Sequence, residues 1–202
     1  NANTASANSA SASAPPLGAL GVSRSPAGSP NEGAQITLDA VYASGTAVPG
    51  TTYAWTVLRN GNAFTTGTGA SFQFNATDDG TYTASVVATT PSSVQDNASL
   101  SPSLTVANVA PTLTASGNSA AGVDAEYTLT LTATDPGASD TITWNIDWGD
   151  GSAVQHPAGR NLQPTHVYEE AGIYDITITA GDGSATDVAA TPATIEVTVT
   201  AA

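Results

Sequence analysis

Apolar side chains recur at every second position along most of this chain, and clusters of Gly, Pro, Asn and Asp break the alternation at intervals of about ten residues. A helix buries positions three and four apart, so this pattern is wrong for a helix and right for short antiparallel strands with one buried and one wet face. Tyr127, Leu129, Leu131 and Ala133 alternate with threonines. So do Ile142, Trp144, Ile146 and Trp148 with polar residues, then Tyr174, Ile176, Ile178 and Ala180, and finally Ile195, Val197 and Val199. The first half repeats the order with Ile36, Leu38, Ala40; Tyr53, Trp55, Val57; Phe72, Phe74; Tyr82, Ala84, Val86, Ala88; and Leu104, Val106. The expected fold class is all-β, with two tandem sandwiches.

The repeat is anchored by Trp55 with Trp144 and by "DDGTY" (78–82) with "EAGIY" (170–174). The expected domains are an extended low-complexity N-terminal segment over 1–16, one sandwich over 17–110 and a second over 111–202. The boundary falls at "ANVAP", where Pro111 stiffens the connection and biases Ala110 to an extended conformation. Units of about 90 residues with this pattern resemble an immunoglobulin-like Greek-key sandwich, with a tryptophan at the centre of the core and a tyrosine bonding back across a corner. Trp55 and Trp144 suit the first role, and Tyr82 and Tyr174 the second. Ala84 and Ile176 stand where an antibody domain would carry a cysteine, so apolar packing replaces the disulfide.

Within 111–202, Trp144, the run Trp148-Gly149-Asp150-Gly151-Ser152, His166 with Tyr168, and Gly172 with Tyr174 resemble the polycystic-kidney-disease-type (PKD) domain family. Residues 17–110 keep Trp55, Gly80 and Tyr82, with Phe74 where His166 would stand. They lack the Gly-Asp-Gly-Ser turn and resemble a degenerate relative. The resemblance implies a non-catalytic spacer or interaction module of secreted and surface proteins, and no particular ligand.

The motif that looks most like chemistry has a simpler reading. Asp150-Gly151 is a favoured turn pair. A catalytic pair of Asp147 with Asp150 would need a second acid across a cleft, whereas Asp147 alternates away from Trp144, Ile146 and Trp148 onto a wet face. His166 reads as a neutral histidine hydrogen-bonded near that turn, since zinc wants three or four clustered ligands, and His156 lies in a polar loop. No nucleophile arrangement stands out. At the other end of the sandwich, the loops "DPGASD" (135–140) and "GDGSATD" (181–187) are expected to bring together Asp135, Asp140, Asp182 and Asp187. Oxygen-only ligands on loops suit calcium, the one metal this sequence brings to mind; solvated acidic loops are the alternative, and no cofactor is required. Asn75-Ala76-Thr77 and Asn97-Ala98-Ser99 are glycosylation sequons, of a kind that arises by chance in such a chain.

Composition narrows the partners. The chain has no lysine, its cations are Arg24, Arg59 and Arg160, and its net charge of -14 sets it against nucleic acid and anionic membranes. Cysteine and methionine are absent, which removes disulfides and thiolate chemistry. No apolar run reaches the roughly 18 residues of a membrane helix. Richness in Ser, Thr, Ala and Gly resembles secreted bacterial surface proteins, so the expected location is extracellular, on the cell surface or secreted, after removal of any export signal. The segment "NANTASANSASASAPP" cannot order itself, but the alternation in "SASASA" (9–14) is compatible with an extended strand donated to a neighbouring copy. The expected function is a structural subunit of a surface filament, a homopolymer built by that donation. The alternative is a tandem spacer or weak glycan-binding module of a larger adhesin or hydrolase.

Overall fold

A computed structural model of the chain describes residues 19–183 and 192–201. The tail over 1–16, with its expected strand donation, and Asp187 lie outside the described residues. Among the described residues sixteen strands run in order: β1 (Leu20–Ser25), β2 (Gln35–Tyr42), β3 (Thr52–Arg59), β4 (Asn62–Thr68), β5 (Ser71–Asn75), β6 (Gly80–Thr89), β7 (Gln95–Ser99), β8 (Leu104–Val106), β9 (Thr112–Gly117), β10 (Ala120–Gly122), β11 (Glu126–Thr134), β12 (Thr143–Asp147), β13 (Asn161–Leu162), β14 (Thr165–Val167), β15 (Gly172–Gly181) and β16 (Ala193–Thr200). There is no helix among the described residues. The chain forms two compact units. One takes Ile36–Phe74, Tyr82–Leu104 and the described residues up to Ala27; the other takes Gly28–Gln35, Asn75–Thr81 and the described residues from Thr105 on.

In the first unit β1, β2 and β5 form one sheet, while β4, β3, β6 and β7 form the other, with β8 beside β6. Tyr53, Trp55 and Val57 are buried while Thr52, Ala54 and Thr56 face water, as the period of two requires. The β3–β4 hairpin turns at Asn60 and Gly61, both at positive φ (50° and 80°), the geometry that favours an Asn-Gly pair. The Trp55 indole donates to the Gly69 carbonyl at 2.8 Å, so burying it leaves no donor unmet. Phe64, Phe72 and Phe74 bracket Trp55 and Tyr82 in a chain of ring contacts.

The second unit pairs a sheet of β10, β16, β15 and β12 with a sheet in which β11 is flanked by β9, β13 and β14. β10 runs parallel to β16, with Ala120 opposite Thr198; the other pairings are antiparallel. Tyr127, Leu129 and Leu131 of β11 close on Trp144 and Ile146 of β12 and on Ile176 and Ile178 of β15, all buried. Trp144 repeats the arrangement of Trp55, its indole donating to the Gly159 carbonyl at 2.8 Å. Tyr174 donates to the carbonyl of Glu170 at 3.1 Å, the corner bond expected of it. The tandem immunoglobulin-like sandwich reading of the sequence is thus what the chain adopts.

The segments Gly28–Gln35 and Asn75–Thr81 pack with the second unit through backbone bonds. Glu32 N and Ala107 N bond to the Ala107 and Pro30 carbonyls, each at 2.9 Å, Gly33 N to the Ala76 carbonyl at 2.6 Å, and Ala138 N to the Thr77 carbonyl at 2.9 Å. These bonds carry Glu32, Asp78 and Asp79 to the end of the sandwich where the 135–140 loop lies.

Candidate functional site

The Gly149-Asp150-Gly151-Ser152 turn follows β12. Gly149 and Gly151 sit at φ +79° and +81°, where an L side chain is strained, and a Cβ on Gly149 would stand 2.6 Å from the Asp175 carbonyl oxygen. Asp147 turns outward and accepts from Gly149 N at 3.0 Å. Asp150 does the same for Ser152 N at 3.0 Å with Oδ1, while Oδ2 lies 2.7 Å from His166 Nε2. His166 in turn stacks on Trp148, with ring centroids 4.7 Å apart and planes 11° from parallel, and meets Tyr168 edge-on. Burial alone would raise the Asp150 carboxyl; the hydrogen bonds from the Ser152 hydroxyl, His166 and the Ser152 amide outweigh it and bring it down to about 2.

An acid, a histidine and a serine thus stand together beside an open depression that also touches Glu169 and Glu170. In a nucleophilic triad the histidine lies between hydroxyl and carboxylate. Here the carboxylate lies between the other two, so the histidine is turned away from the hydroxyl it would have to deprotonate. What the arrangement does chemically is hold a turn onto β14 by a charge-assisted bond. His156, exposed, reaches Asn145 Oδ1 at 2.7 Å and joins no cluster. Asn75 and Asn97 are exposed.

The second cluster is larger than the sequence indicated. One carboxylate oxygen from each of Glu32, Asp135 and Asp140 lies within 4.8 Å of the other two, and Glu32, Asp78 and Asp79 make a second such group. Asp135 and Asp140 are half-buried, and Glu32 and Asp78 are 4% and 1% exposed. Asp182, also buried, accepts from Asn108 Nδ2 at 2.8 Å. The loop is shaped from beneath by Arg160, which donates to the carbonyls of Gly137 at 2.7 Å and of Asp135 and Asp140 at 3.4 Å.

Desolvation is the main cause of the raised Asp140 carboxyl, with Asp78, Glu32, Asp135 and Asp182 adding repulsion, and together they push it up to about 7. Asp135 and Glu32 are also raised, first by burial and then by acidic neighbours, against the pull of the bond each accepts from a backbone amide. Of the four acids expected here, Asp135, Asp140 and Asp182 come together. Glu32, Asp78 and Asp79 were missed, because only long-range backbone pairing delivers them.

The geometry defines the class first: a two-sheet immunoglobulin-like sandwich in which Trp148 just after β12, the Gly-Asp-Gly-Ser turn and His166 form one structural unit. Residues 108–199 match the family described as the PKD domain. No curated protein sequence matches the chain. Among solved structures it is similar to the fibronectin(III)-like modules of Clostridium thermocellum CbhA, at 17% identity and a TM-score of 0.34, over 89% of this chain and 94% of that one.

Proposed function

We propose that the chain is a non-catalytic spacer module of an extracellular protein. The observation that carries this reading is the use of Asp150, His166 and Ser152. The side chains most suited to chemistry are bonded to one another in an order that holds a turn and puts the Ser152 hydroxyl on a carboxylate held at about 2, not on the imidazole. The PKD-domain match over 108–199 and the lysine-free composition rich in Ser, Thr, Ala and Gly support an extracellular setting.

Glycan binding is the weaker form of the same reading. All twelve aromatic residues of the sequence lie among the described residues, and none of them is exposed. Sugar stacking therefore has no open ring to use. Assembly through residues 1–16 draws on no observation among the described residues, so the spacer reading leads.

Sedimentation velocity of the full chain, and of a variant lacking residues 1–16, tests the choice. A spacer sediments as the same small species in both forms. Large polymers of the full chain that vanish in the shortened variant would establish the filament subunit instead.

A further inference from the structure

Three buried carboxylate oxygens at one end of the second unit have no hydrogen-bond partner among the described residues. Glu32 is 4% exposed; its Oε1 accepts from Val109 N at 2.9 Å, but Oε2 is buried and accepts nothing. Asp135 divides in the same way, with Oδ1 taking Gly137 N at 2.6 Å and Oδ2 buried and unmet. Asp140 Oδ2 is the third. Two of them converge over Gly137: a Cβ there would overlap Asp140 Oδ2 and stand 2.7 Å from Glu32 Oε2, so glycine keeps the space between those two open.

Burying anions without a counter-charge is strongly unfavourable. Arg160 is the sole cation of the sequence beyond Arg59, and its guanidinium donates to backbone carbonyls of the loop. Arg160 attracts Asp135, but one guanidinium stands against the carboxylates of Glu32, Asp78, Asp135, Asp140 and Asp182, so a cation from solution would relieve a net negative charge.

We propose that Glu32, Asp135 and Asp140 bind a calcium ion, with Asp78 and Asp79 deepening the negative potential around it. The donors are all hard oxygens, which suits calcium or magnesium and not zinc, whose sites favour nitrogen and sulfur. The choice between the two rests on how many protein carboxylates converge. Magnesium dehydrates reluctantly and is usually held by one or two carboxylates with several waters kept, whereas calcium accepts an irregular set of protein oxygens. One carboxylate oxygen from each of Glu32, Asp135 and Asp140 lies within 4.8 Å of the other two, with Glu32 on one segment and the two aspartates at the ends of one loop, a set that suits calcium. An ion there would tie together the segment carrying Glu32 and both ends of the 135–140 loop. The site stands independently of the spacer reading.

The test is calorimetric titration of chelator-treated full chain with calcium chloride and with magnesium chloride at matched ionic strength, alongside thermal melts. Wild type is expected to bind one calcium in the group, with a higher melting temperature in calcium than in chelator and about tenfold or weaker binding of magnesium. Glu32→Gln removes a charged ligand. It should weaken calcium binding by about tenfold or more while melting in chelator no lower than wild type. Gly137→Ala should close the cage, and Glu196→Gln, an exposed acid on β16, should bind as wild type does. Absence of calcium binding by wild type, equal binding of both ions, or full binding by Glu32→Gln would each overturn the proposal.

Discussion

Replacing Asp150 by asparagine keeps the side chain's shape and its bond from Ser152 N but removes the charge that faces His166. In the folded chain the Asp150 carboxyl is held at about 2, against 3.8 for a free aspartate. A difference of that size corresponds to about 2 kcal/mol of stability at neutral pH. The side chain is 17% exposed, so solvent screens part of this, and about 1 to 2 kcal/mol is the expected loss. The sign follows from the direction of the shift. A depressed carboxyl stabilises the fold fully above 3.8 and loses that contribution as the pH falls towards 2. Urea unfolding followed by tryptophan fluorescence at pH 7, 4 and 2.5 should therefore show wild type ahead of Asp150→Asn at pH 7, with the gap closing in acid. Equal stabilities at pH 7, or a gap unchanged at pH 2.5, would refute the structural role given to this acid.

The two glycines of the same turn should respond differently. Gly149→Ala meets both positive φ and the Asp175 carbonyl and is expected to cost about 2 kcal/mol or more, whereas Gly151→Ala meets open space and should cost about 1 kcal/mol. Chemical denaturation of the pair checks this. Trp144→Phe strands the Gly159 carbonyl and leaves a void in a fully buried site, for an expected loss of about 2 to 4 kcal/mol by the same method. In chelator, Asp140 makes stability fall as pH rises: its raised carboxyl favours the folded chain below about 4, and that advantage disappears as pH passes through about 7. Melts from pH 4 to 8 should show this slope in wild type and a shallower one in Asp140→Asn, where only the raised carboxyls of Asp135 and Glu32 remain.

Much of this architecture is written in short-range pattern. The alternation of Tyr127, Leu129 and Leu131 assigns the buried face of β11 before any partner is known, and the same holds for Trp144 and Ile146 in β12. The turn after β12 is legible because Asp-Gly pairs have few other conformations open to them. β12 itself ends at Asp147, one residue short of the expected pattern, yet Trp148 stays 1% exposed because the turn folds it back under His166.

The parallel pairing of β10 with β16 left no mark, since Ala120, Ala121 and Gly122 carry no apolar period. Glu32 was invisible for a related reason. "PNEG" reads as an exposed turn, and only the bonds to Ala107 and Ala76 bury it beside Asp135 and Asp140. The "DDGTY" stretch served as a repeat anchor on account of Tyr82, and that use hid the second role of its two aspartates. Local chemistry thus announces turns and faces, while the carboxylates that share a site are joined by pairings 40 to 100 residues long, on the order seen for sandwich folds of high contact order.

The central claim is that this chain is a discrete structural module. Negative-stain electron microscopy of the purified full chain tests it in one image. Dispersed small particles at all concentrations are the predicted result; long fibres of uniform width would contradict it and return the N-terminal segment to the role of a donated strand.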